Sequence, residues 1–158
     1  MLERCKNAKE LWGGVHELID RWLNERQEVI LLYCAIEGLD QYTPIDASIE
    51  VKTKAFCQMM MDYVSAGHFE VYEQLFKEAK EFDDGSIELA KEIYPQLKVN
   101  TQDLLDFNDK YSNDKNTSEH LNELHLELST IGELLEDRFQ KEDQLIHSLH
   151  ESHRELIA

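Results

Sequence analysis

Seven histidines, 33 acidic residues and three cysteines carry most of the reactive chemistry of this 158-residue chain, and their spacing excludes most of what they could do. Di-iron helical enzymes place Glu-x-x-His on facing helices, because that spacing aims a carboxylate and an imidazole at one metal pair. No histidine here has Glu three residues before it. His147, His150 and His153 recur every three residues near the end of the chain. Neighbouring rings of such a run reach a shared ion, but the outer two spread around the helix, so a solvated helix end is expected and no metal site. Cys5, Cys34 and Cys57 are odd in number and lack CxxC spacing, which predicts reduced thiols, at least two of them packed in the core. Asp62, Tyr63, Ser65 and His68 supply a nucleophile, a base and an orienting group by type. One helical stretch does not give a triad its geometry, and no GxSxG turn, P-loop or GxGxxG accompanies them. Neither an enzyme nor a cofactor is expected. His68 and Ser65 then have two readings, a hydrogen-bonded pair that satisfies a bend or part of a docking surface. Asp62 follows three Met and precedes Tyr63, so its carboxylate is either exposed for a partner or costly to bury.

The elements that must position these residues are helices. Gly numbers only 6 and Pro 2, too few for the turns of a many-stranded sheet. A first helix is expected over residues 5 to 38, with Trp12, Val15, Ile19, Trp22, Val29, Tyr33 and Ile36 on one seam that Arg26 interrupts, and Gly38 as its stop. Thr43 or Asp46 is expected to cap a second helix that begins near Ile49, bends near Ser65-Ala66-Gly67 and resumes to Phe82. Asp83-Asp84-Gly85-Ser86 breaks the chain before a third helix, Ile87 to Tyr111, kinked at Pro95. SNDKNTS (112 to 118) reads as a mobile loop, with Asn116 and Glu119 as a capping box for the fourth helix. That last helix carries Leu121, Leu124, Leu128, Ile131 and Leu135, then Arg138 and Glu142, then Leu145, Ile146 and Leu149. The expected fold is all-α, one domain over 1–158, an antiparallel up-down-up-down four-helix bundle with long helices. Arg26 and Glu142 would then face each other as a structural polar layer.

Charge narrows the function further. The formal net charge is −17, a field that repels phosphate backbones and anionic membranes. Residues 112–158 hold 11 acids against 4 bases, the most acidic part of the chain. Direct nucleic-acid binding and membrane insertion are not expected; a cytoplasmic protein with a basic protein partner is.

Particular residues point more narrowly. Asp20-Arg21-Trp22-Leu23 with Arg26, FCQMMMDYVSAGHFEVYE from Phe56 to Glu73, Tyr94-Pro95-Gln96-Leu97, and IGELLEDRF with Glu142-Asp143 together resemble the Rsd/AlgQ family, the regulator of sigma D and the alginate regulator. The opening CKNAKELWGGVHELIDRWL is similar to the alginate-regulator branch. The resemblance implies a helical anti-σ factor of stationary phase. It would bind the C-terminal, −35-reading domain of the primary σ factor and hold it from core RNA polymerase and promoter DNA. It further implies a partner-binding surface of Asp62, Ser65 and Phe69 on the second helix with Leu18 and Trp22 on the first, Asp62 accepting from an Arg of σ and Phe69 acting as an apolar anchor. Met59-Met60-Met61 before Asp62 and the acidic last helix depart from the enterobacterial pattern. A monomer is expected. The alternatives are a small-ligand or metal-sensing bundle, or a regulator acting through a phosphocarrier protein or a stringent-response enzyme.

Overall fold

The computed structural model describes residues 15–38, 48–82 and 85–150, and these form helices joined by short turns, with no strand among them. The helices are α1 Val15–Glu37, α2 Ile49–Ala66, α3 Tyr72–Phe82, α4 Ser86–Tyr111, α5 Asp114–Glu119 and α6 Leu121–Leu149. The start expected at residue 5, Cys5, Trp12, the caps expected at Thr43 and Asp46, and His153 lie outside the described residues.

Local chemistry sets the ends. Gly38 adopts φ 71° directly after α1 and Gly85 adopts φ 88° directly before α4, left-handed conformations that cost glycine nothing. Ser48 is in extended conformation and its side chain accepts from Val51 N, capping α2. A π-helical turn, Gly67–Val71, joins α2 to α3 through helical backbone at Ala66 and Tyr72, at the place where a bend was expected. Such a turn inserts one residue and rotates the side chains that follow. α4 runs through Pro95 as one element.

The segment from 112 to 118 corrects the sequence expectation. It is not a loop: most of it forms α5, capped by Asn113, whose side-chain oxygen accepts from Lys115 N and Asn116 N. Thr117 is buried and donates to Tyr111 O at 3.1 Å, which ties the short helix to the end of α4. The α6 cap is His120, without a side-chain cap bond, so Asn116 and Glu119 form no capping box for it.

α1 packs chiefly on α2, and α6 on α4. The core between them holds Ile19, Val29, Phe56, Met60, Leu75, Leu97, Leu104, Leu124, Leu128 and Leu145, the inward positions that a 3.6-residue period predicts. Cys57 is buried, its thiol pushed up to about 12 by that burial, and Cys34 is half-buried. No helix among the described residues is long and apolar enough to cross a membrane.

Candidate protein-binding surface

The interior of the chain contains a polar layer on which the candidate surface rests. Glu142 is buried and accepts from the hydroxyls of both Tyr63 and Tyr72. Arg26 approaches from α1, its Nη2 3.5 Å from Glu142 and its Nη1 2.6 Å from Asp143, while its Nε donates to Tyr63 Oη at 3.0 Å. From the other side Arg138, fully buried, places Nε 3.3 Å from Glu142 and donates to Asn100, Thr101 and Tyr72 at 3.1, 2.8 and 3.2 Å. Thr101 carries the chain outward: its hydroxyl lies 2.7 Å from His68 Nε2. The layer therefore runs from α1 through α6, α2, α3 and α4 to the π turn.

Each member's protonation follows from its neighbours. Burial pushes the Glu142 carboxyl above its ordinary range, opposed by Arg138, the two tyrosines and Arg26. Burial and the Glu142 charge raise both tyrosine hydroxyls, which keeps them neutral donors. Burial works against the charge of Arg26, and Tyr63, Asp143 and Glu142 more than restore it. His68 falls from 6.5 to about 4 because it is half-buried and lies near Arg138 and Lys98, so its ring is neutral at physiological pH.

The surface is built on this layer. Trp22 is 2 % exposed; its indole donates to Tyr63 O at 3.0 Å, stacks on the Tyr63 ring at 4.8 Å and meets Tyr72 edge-on at 5.9 Å. It is a core residue that also lines a shallow groove, about 80 Å³, together with half-buried Leu18, Arg21, Glu25, Ala66 and Glu70. Around the π turn a wider groove of about 360 Å³ is lined by Ser65, His68, Phe69, Tyr94, Lys98 and Thr101 among others. Asp62 and Ser65 are exposed on α2, and Phe69 on the π turn is 77 % exposed. Burial, Asp62 and Glu70 raise the Glu25 carboxyl, with Arg21 partly offsetting them, which places three carboxylates in one electrostatic cluster.

Of the five residues named from the resemblance, the structure thus brings Leu18 and Trp22 into one groove and Ser65 and Phe69 into another, with Asp62 exposed on α2. His68 does not pair with Ser65 as one sequence reading had it; its partner is Thr101 on α4, because the π turn directs the imidazole across to that helix. The histidine run at the end of α6 also separates. His147 is exposed, whereas His150 is buried with Nδ1 2.9 Å from Glu78 Oε2 and its ring stacked 5.7 Å from His16. No metal-holding cluster occurs among the described residues. Sequence reasoning anticipated Arg26 against Glu142 but missed Arg138 as its counterweight and Tyr63 and Tyr72 as donors. The signal was present in the polar interruption of the α6 stripe at Arg138 and Glu142.

Comparison with known proteins gives these features a context. The family described as "Regulator of RNA polymerase sigma(70) subunit, Rsd/AlgQ" matches residues 1–150. The chain is 37% identical over 156 residues to the Regulator of sigma D of Yersinia pseudotuberculosis, covering 96% of this chain and 90% of that protein. It is 36% identical over 151 residues to the Regulator of sigma D of Shigella dysenteriae, covering 92% of each. On that breadth of match, spanning α1 to α6, the chain belongs to the Rsd/AlgQ family of regulators of the RNA polymerase sigma(70) subunit.

Proposed function

We propose that this protein is an anti-σ regulator that binds the C-terminal, −35-reading domain of the primary σ factor and withholds it from core RNA polymerase and promoter DNA. The observations that carry the reading are Phe69, 77 % exposed on the π turn, and the electrostatic cluster that Asp62 and Glu70 form with Glu25 of α1. An exposed aromatic is the kind of side chain that anchors an interface when a partner's pocket buries it. The carboxylates suit a DNA-reading domain, whose Arg and Lys would otherwise meet phosphates. Family membership supports the same partner. Asp62 accepts from an Arg of σ, Ser65 and Leu18 border the contact, and Trp22 supports it from beneath.

In this reading the chain is a single domain over 1–158, an up-down-up-down bundle whose rods deviate at the π turn and at Pro95. It acts as a monomer in the cytoplasm, by binding and not by catalysis, without a cofactor, metal or direct contact with DNA.

The test is native mass measurement and titration of the full chain with the σ factor at low ionic strength. A complex is expected, with Asp62→Ala and Phe69→Ala each weakening it by about tenfold or more while leaving the fold intact. Absence of any complex, or unchanged affinity in both variants, refutes the reading.

A further inference from the structure

We infer that the open seam between α1 and α6 is a second docking surface, and that its occupant is a basic amphipathic helix. Because α1 packs chiefly on α2 and α6 on α4, a groove of about 270 Å³ is left between α1 and α6, floored by Ile30, Tyr33, Leu135 and Phe139 and edged by Glu136 and Asp143. A trough between two helices with an apolar floor has the shape that accepts the apolar face of a third.

The charge around it selects the partner. No Lys or Arg lines the groove. Glu37 and Glu133 stand close enough to Tyr33 to add to the rise that burial gives its hydroxyl, so acids flank the floor on both helices. Arg26, whose guanidinium lies 4.7 Å over the Phe139 ring, is engaged by Asp143, Glu142 and Tyr63. Aliphatic side chains one turn apart would fill the floor, and Lys or Arg on either side would meet the acidic rim. The groove shares no lining residue with the two grooves beside Asp62 and Phe69, so it is a separate surface and its occupancy does not depend on the σ-binding reading.

The experiment titrates the isotope-labelled full chain with two synthetic helical peptides of equal positive charge, one carrying a Leu face and one an Ala face, and follows amide shifts by NMR. The Leu-faced peptide is expected to bind, with shifts centred on Ile30, Tyr33 and Leu135. Its affinity should fall by about tenfold in Glu133→Lys/Glu136→Lys, two exposed positions, and stay unchanged in Phe69→Ala. The Ala-faced peptide should bind far more weakly. No binding, equal binding of both peptides, shifts centred on Phe69, or indifference to the charge reversal would each overturn the inference.

Discussion

Trp22 Cζ2 stands 3.1 Å from the point where a Cβ on Gly67 would lie. Tyr72 Cζ is 3.3 Å from the same point, so the glycine at the start of the π turn is in contact with two rings that hydrogen bonds and stacking already fix. Alanine would gain up to about 1 kcal/mol of helix propensity, yet overpacking against rings that cannot retreat costs about 1–3 kcal/mol. Gly67→Ala should therefore lower the urea midpoint, and it should weaken binding of the σ factor because Phe69 lies two residues further along the same turn. An unchanged midpoint would mean that the rings yield.

A second close approach joins α1 to α6. A Cβ on Gly132 would fall 3.0 Å from Tyr33 Cζ and nearer still to its hydroxyl, which donates to Leu128 O at 2.9 Å. Gly132→Ala is expected to break that bond and cost about 1–3 kcal/mol. Tyr33→Phe removes the colliding oxygen, so the double variant should be more stable than the sum of the single losses. A thermodynamic cycle by chemical denaturation reads the difference, and strict additivity would disprove the contact.

Removing one partner of a buried charge network leaves the others uncompensated. Arg138→Met strips Glu142, Asn100, Thr101 and Tyr72 of a donor and should destabilise the fold by about 3–5 kcal/mol. Arg138→Met/Glu142→Leu removes the orphaned carboxylate too, and its loss should be well below the sum of the two single losses. Differential scanning calorimetry of the four proteins checks this.

The buried layer also predicts a pH profile. His68 titrates near 4 in the folded chain against 6.5 unfolded, so the unfolded state binds more protons between those values and stability falls as pH drops through that window. Glu142 acts with opposite sign. Its folded value is raised, so the folded state binds more protons above the unfolded value, and this group's contribution declines as pH rises. His68→Gln, which keeps a partner for Thr101, should flatten the loss between about pH 6.5 and 4. Denaturant midpoints across that range would show it, and identical slopes in both proteins would contradict the assignment.

Periodicity alone fixed which residues face inward, because burial on a helix repeats every 3.6 residues and is written locally in the chain. It gave the α1 seam through Ile19, Trp22, Val29 and Ile36 and the stripe of α6, while glycine marked the stop at Gly38 and the break at Gly85. It also showed that Arg26, Arg138 and Glu142 occupy inward positions, without saying what they meet. Tertiary structure alone decided that Tyr63 and Tyr72 turn their hydroxyls onto Glu142, and that His68 finds Thr101 across the interface. It alone placed Phe69 upon the surface, because the π turn rotates the register by an amount no local pattern records. A hydrogen bond needs two elements to meet at one depth and angle, and that is a property of how helices pack and not of either helix by itself.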